Sequence, residues 1–382
     1  LLLEKLHKKI IARKAACLYR ERRICAETLV NFSSNDYLGL RNDPAIKKAV
    51  ITYIEKYGLG SGASKLISGF HNIHQDLELE FAEFIGCEKT IIFSSGYMAN
   101  LGVITALTDR EDIIFQDKLS HASLIDAAIL SRAKLIRFTH LSSQDLSNKL
   151  QLNHATIANK LIVTESIFSM EGSLAPIDEY LNLASQNHAG LLIDEAHSIG
   201  VLGKHGRGAI EHYNIDLTTN NKVILVYPLG KAFGMQGGIV AGSNVLVDSI
   251  IQYARTYMYT TGISPAITAG IKASLKIIKT EHWRREKLAE LIFFFIETAQ
   301  RLELPSLAST SQIQSILIKC PKRALLISEK LRQAGFFVIA IREPTVPNGS
   351  DRLRISLTIN HSKPLIKQLL TTIKQEVKTH AL

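Results

Sequence analysis

An α/β fold built on a mainly parallel, helix-covered sheet is predicted by three features of this 382-residue chain. Short β-branched runs alternate with helical stretches through its first two thirds, the pattern of strand and crossover helix in a parallel sheet. Beyond about residue 255 the pattern turns to long helical segments with shorter apolar runs, which marks a second, smaller α+β domain. Hydrophobic residues make up 46% of the chain, enough to bury a substantial core.

The first element in chain order is a basic helix. Lys5, Lys8, Lys9, Arg13, Lys14, Arg20, Arg22 and Arg23 recur at helical spacing around Ile10, Ile11 and Leu18. An amphipathic, solvated helix explains that run better than a nucleic-acid surface does, so residues 1–42 read as an N-terminal helical arm. The glycine-dense Gly58-Leu59-Gly60-Ser61-Gly62-Ala63-Ser64 follows a helical segment rather than a strand, the wrong context for a dinucleotide fingerprint, and reads as a flexible substrate-site loop. His71 and His74 fall at i, i+3 on a helix beginning near Asn72, but no third ligand stands nearby and no metal site is expected. Seven strands follow, at residues 90–93, 112–115, 134–138, 161–164, 191–194, 223–226 and 238–241, and define a large domain over residues 43–255. The small domain, residues 256–382, opens with a long connecting helix over 268–302 and carries apolar runs at 314–318, 336–341 and 353–357. No internal repeat or low-complexity linker is visible.

Net charge is +10 and the sequence pI is about 9.3. That excess suits an acidic partner, such as a phosphorylated or carrier-bound substrate. Cys17, Cys25, Cys87 and Cys320 are scattered and form no CxxC pair, so neither zinc nor a disulfide framework is indicated, and a reducing cytoplasm fits best. Charge interrupts the N-terminal Leu1-Leu2-Leu3-Glu4-Lys5, and no apolar run approaches membrane-spanning length, so no membrane association is expected.

Two residues point to chemistry. Asp194 ends the apolar run Leu191-Leu192-Ile193-Asp194, and Lys231 stands in the glycine-flanked turn Leu229-Gly230-Lys231-Ala232-Phe233-Gly234. A carboxylate at the end of a buried strand and an amine in such a turn suit a pyridine-aldehyde cofactor: the acid keeps the ring nitrogen protonated and the amine forms a Schiff base. The pair points to pyridoxal 5'-phosphate (PLP). An Asp in that place also caps helices or holds Mg²⁺ in other α/β proteins. Ser94-Ser95-Gly96-Tyr97 joins a strand to a helix start, whose bare amides attract a phosphate, although a plain turn reads the same. In Ser120-His121-Ala122-Ser123 the imidazole either lies on a cofactor ring or caps a helix.

Taken together, Asn31-Phe32-Ser33-Ser34-Asn35-Asp36-Tyr37-Leu38-Gly39-Leu40, Gly60-Ser61-Gly62-Ala63-Ser64, Ser68-Gly69-Phe70-His71, Ser120-His121-Ala122-Ser123, Phe168-Ser169-Met170-Glu171-Gly172, Asp194-Glu195-Ala196-His197, Gly230-Lys231-Ala232-Phe233-Gly234 and Pro344-Thr345-Val346-Pro347 resemble the α-oxoamine synthase family of pyridoxal-phosphate enzymes. The likeness runs nearly end to end and implies a fold-type I PLP-dependent transferase that works as a homodimer. It implies Lys231 as the Schiff-base lysine and proton carrier, Asp194 at the ring nitrogen, His121 on the ring face, and His197 and Ser169 at the phenolic edge. It further implies Gly96 and Tyr97 at the phosphate, with Thr261 reaching the phosphate of the neighbouring subunit. Arg354 is implied as the clamp for the amino-acid carboxylate, with Arg20, Asn35 and Thr345 on the substrate side. The implied activity is an acyltransferase reaction, the decarboxylating condensation of L-alanine with a pimeloyl thioester carried on coenzyme A or acyl carrier protein. Sister reactions of the glycine C-acetyltransferase or 5-aminolevulinate synthase type, and a catalytically impaired binding subunit, stay open. Three departures stand out: Pro228 replaces the threonine usual three residues before the lysine, Ala63 replaces a usual glycine, and the segment between Arg23 and Leu29 is short.

Overall fold

In a computed structural model, residues 1–154 and 157–380 are described. Twelve strands occur among them: β1 (Val30–Asn31), β2 (Lys89–Phe93), β3 (Ile113–Asp117), β4 (Lys134–Phe138), β5 (Lys160–Glu165), β6 (Gly190–Asp194), β7 (Val223–Pro228), β8 (Gly238–Gly242), β9 (Ile313–Leu317), β10 (Phe336–Phe337), β11 (Ile339–Ile341) and β12 (Arg352–Ser356). Two compact units share them, one formed by residues 1–35, 170–173 and 286–382, the other by 36–169 and 174–285. The change in pattern near residue 255 therefore falls inside the second unit.

That second unit holds a seven-stranded sheet in the order β2-β8-β7-β6-β5-β3-β4. Neighbours β7, β6, β5, β3 and β4 pair in parallel, while β8 runs antiparallel to both β2 and β7. Strands covered on both faces lose the alternation of a half-wet sheet and read as continuous apolar runs; β3 is buried at every position and β6 at all but Gly190. The helix α1 (Leu2–Ala15) buries no residue, and α2 (Pro44–Tyr57) begins with the Asp43 side chain accepting from Ala45 and Pro44 in the first turn. The next helix, α3 (Asn72–Ile85), starts on a reciprocal pair: His71 N–H donates to His74 Nδ1, and the His71 side chain accepts from the backbone of His74. His74 is then satisfied by the Ile263 carbonyl at 2.8 Å, a structural job for both histidines. The glycine loop is tied down rather than free, because Ser61 Oγ donates to Gly262 O at 2.7 Å and Gly262 N–H donates to Ala63 O.

The predicted 268–302 helix is two helices, Pro265–Thr280 and Trp283–Arg301. The break lies at Glu281, where the Arg285 guanidinium donates to the Ile278 carbonyl at 2.8 Å and satisfies one of the end carbonyls that helix continuation would have used. The first unit carries the sheet β11-β12-β9, antiparallel throughout, and the short parallel pair β1 and β10.

Candidate active site

Most of the residues predicted for the cofactor lie at or just past the carboxyl ends of strands of this sheet, Gly96 and Tyr97 after β2, His121 after β3, Ser169 after β5, Asp194 and His197 at and after the end of β6, and Lys231 after β7, where open α/β sheets bind ligands. The chain leaves β2 at Phe93 and enters helix α4 (Gly96–Leu107), whose cap, Ser95, accepts from Met98 N–H at 3.2 Å. Gly96 and Tyr97 occupy the first turn, where amide groups lack an intrahelical acceptor and attract an anion. A Cβ at Gly96 would meet the Pro228 ring at 2.5 Å, and one at Gly238 would meet Gly96 at 2.9 Å, so the backbone is pressed closely together at this helix start. Thr261 is exposed, and its carbonyl accepts from Ser94 Oγ at 3.3 Å, which brings residues 167 apart in sequence to the same corner.

Asp194, the last residue of β6, is 3% exposed. Its Oδ1 accepts from Ala196 N–H at 2.9 Å and its Oδ2 from Asn100 Nδ2 at 2.7 Å. His121 caps helix α5 (Ala122–Ser131), with Nδ1 facing Ser123 Oγ at 2.8 Å and its own N–H donating to Glu165 Oε1 at 2.6 Å. Desolvation of this edge holds the imidazole below its ordinary range, with Asp194 pulling it up and the Lys231 ammonium pushing it down. Both charges therefore act on His121, a residue exposed at the surface of this unit. Tyr97 stands edge-on to that ring at 6.4 Å, its hydroxyl bound to Asp126.

Lys231 is half-buried in the turn between β7 and β8. The turn closes through Gly234 N–H to Lys231 O at 2.8 Å and Leu229 N–H to Gly237 O at 3.0 Å. Gly234 has φ +63°, and a Cβ there would strike Arg41 N at 2.5 Å, so glycine is required on both counts. His197 is buried with Nδ1 2.7 Å from the Tyr37 hydroxyl, and Ser169 is half-buried beyond β5.

The substrate-side residues form two pairs in the first unit. Arg354, on β12 and 7% exposed, donates from Nη1 to Asn35 Oδ1 at 3.2 Å and to Ser356 Oγ at 2.8 Å. Arg20 donates to Thr345 Oγ1 at 2.9 Å. Sequence reasoning gave no role to Tyr37, Asn100, Ser123 or Glu165. For Asn100 a signal existed: a helix starting at Gly96 puts residue 100 one turn along the same face.

These residues fit a phosphorylated pyridine aldehyde. Amides of Gly96 and Tyr97 offer a phosphate seat, Asp194 is a buried acid with a hydrogen bond on each oxygen, and the Asn100 Oδ1 atom is buried with no protein partner. A family model described as aminotransferase class I and II matches residues 27–373, and the chain belongs to that family. Within it, the chain is similar to proteins named 8-amino-7-oxononanoate synthase. The one from Saccharophagus degradans is 42% identical, over 98% of this chain and 96% of that relative. A solved 8-amino-7-oxononanoate synthase from Francisella tularensis is 36% identical with a TM-score of 0.81, covering 94% of this chain and 100% of the other. A lysine-to-alanine variant of the serine palmitoyltransferase of S. paucimobilis, with a bound PLP–myriocin aldimine, superimposes with a TM-score of 0.92 at 26% identity, over 99% of each chain. No helix among the described residues is long and apolar enough to cross a membrane.

Proposed function

We propose that this chain is a PLP-dependent acyltransferase that condenses L-alanine with a pimeloyl thioester and releases CO₂ and the free thiol, giving 8-amino-7-oxononanoate, a step of biotin biosynthesis. The observation that carries this reading is the 42% identity, over nearly the whole of both chains, to a relative of that name, joined to the Asp194 and Lys231 arrangement. PLP, when bound, serves as the electron sink for charge developing at the amino-acid Cα.

The chain's own residues do the rest. Lys231 holds the cofactor aldehyde and carries the proton taken from, and later returned to, the alanine Cα. A carbon–carbon bond forms between that Cα and the thioester carbonyl, the thiolate leaves, and the alanine carboxylate departs as CO₂. Asp194 keeps the ring nitrogen protonated, and His121 lies against the face of the ring. Amides of Gly96 and Tyr97 hold the phosphate, while His197 and Ser169 serve the phenolic edge. Arg354 is our candidate for the alanine carboxylate, since a planar guanidinium matches it with two parallel hydrogen bonds; Asn35, Arg20 and Thr345 are placed on the substrate side by the same reading. Thr261 serves the neighbouring subunit of a homodimer.

The second reading is a sister reaction, favoured by the serine palmitoyltransferase likeness. One assay separates them: alanine, glycine and serine, each offered pimeloyl, acetyl, succinyl and palmitoyl thioesters. Turnover is expected with alanine and the pimeloyl donor and is expected to vanish in Lys231→Ala. Preference for serine with the palmitoyl donor would replace the first reading with the second.

A further inference from the structure

Asp194 and His121 stand on different elements, yet one side chain ties them together. Asn100, buried in α4, donates through Nδ2 to Asp194 Oδ2 at 2.7 Å and to Ser123 Oγ at 2.9 Å. An ionised carboxylate only accepts, so the amide must turn its NH₂ toward Asp194. Ser123 Oγ then receives an N–H from the same NH₂ group, and its own proton goes elsewhere; His121 Nδ1, at 2.8 Å, is the acceptor it faces. The Ser123 backbone N–H, 3.2 Å from the same Nδ1, acts in the same sense. Every link therefore has a fixed direction: donation runs outward from Asn100, to Asp194 on one side and through Ser123 to a bare His121 Nδ1 on the other, with the imidazole proton left on Nε2.

We infer that Asn100 and Ser123 are positioning residues that hold Asp194 and His121 as one unit, so that the charge at the ring nitrogen and the imidazole over the ring face are set together. The role toward the cofactor rests on the function proposed above; the relay itself is a property of the protein alone. Ser123 is fully buried and Asn100 nearly so, so water does not readily replace either link. Loss of the Asn100 donor leaves an Asp194 oxygen short of a hydrogen bond and frees the Ser123 hydroxyl to rotate away from His121. A group that acts only by packing would have neither effect.

The test has two arms. In the apoprotein, ¹⁵N spectra of the histidine rings, with the signal assigned by His121→Gln, report whether Nδ1 is bare and hydrogen-bonded. The parent is expected to show a neutral ring protonated at Nε2 with a strongly hydrogen-bonded Nδ1, and both Ser123→Ala and Asn100→Ala are expected to move the Nδ1 signal toward that of an imidazole with fewer donors. In the second arm, PLP is titrated into apoprotein and followed by its absorbance. Asn100→Ala and His121→Gln are each expected to weaken PLP binding about tenfold, the double variant about tenfold rather than a hundredfold, because the two act as a unit. Additive losses, or an Nδ1 signal unmoved in both variants, would overturn the relay. A parent that binds no PLP would sink the proposed function, while the apoprotein spectra would still decide the relay.

Discussion

Asp194 and Lys231 do opposite electrical work on His121. The carboxylate favours a protonated His121 and the ammonium disfavours it, while desolvation outweighs both and leaves the imidazole below its ordinary range. A neutral ring is the form that stacks without adding charge to the cofactor face. Pro228 stands where the resemblance implies a threonine, and its ring lies directly against Gly96, at the start of α4. Proline brings neither a hydroxyl nor an amide hydrogen to that corner. Pro228→Thr is expected to tighten PLP binding roughly tenfold or more, the equivalent of one hydrogen bond to a charged group at about 1.5–3 kcal/mol. Equilibrium titration of apoprotein measures it, and an unchanged dissociation constant would show that the hydroxyl finds no phosphate there.

Strands were the readiest elements to read, because β3, β5, β6 and β7 are buried almost throughout and leave near-continuous apolar runs bounded by polar turns. The break at Glu281 was not legible, since no glycine or proline marks it and the side chain that satisfies the end carbonyl, Arg285, lies on the next helix. Site residues divide in the same way. Asp194 and Lys231 carry local signals in a strand end and a glycine-flanked turn, whereas Tyr37 meets His197 across 160 residues and Asn100 meets Asp194 across 94, pairings that no local spacing reveals. Buried histidines show how an element's burial sets pH behaviour. His361 stacks on Phe32 at 3.9 Å, accepts from Thr358 N–H and faces the Asn31 carbonyl, and burial pushes it down to about 4. Between pH 4 and 6.5 the unfolded chain binds a proton there that the folded chain refuses. Its contribution to stability is therefore complete above pH 6.5 and is lost as pH falls toward 4, at up to about 1.4 kcal/mol per pH unit. Glu195, pushed up to about 7 by burial, has the opposite sign: its folded form keeps a proton, and stability is lost as pH rises from 4.5 to 7. His361→Gln is accordingly expected to flatten the acid side of a urea-unfolding series relative to the parent, although the lost stacking lowers stability at every pH. An identical slope in both proteins would mean that His361 does not stay neutral when folded.

For the chain as a whole, the assembly has its own test. If Thr261 of one subunit serves the phosphate bound in the other, a protein carrying Lys231→Ala and one carrying Thr261→Ala complement each other when their subunits are mixed. One site per mixed dimer then has both Lys231 and the partner's threonine. PLP affinity at that site is expected to return to the parental value, and failure of the mixture to exceed Thr261→Ala alone would remove the threonine from the shared site. The basic N-terminal helix has no buried residue, so its lysines and arginines stand exposed.

Whether one lysine amine is joined to the cofactor is decided by borohydride reduction of the PLP-loaded protein followed by peptide mapping. A single pyridoxyl group on the peptide containing Lys231 is the expected result. A fully reduced sample with residue 231 unmodified, or with the label on another lysine, would contradict it.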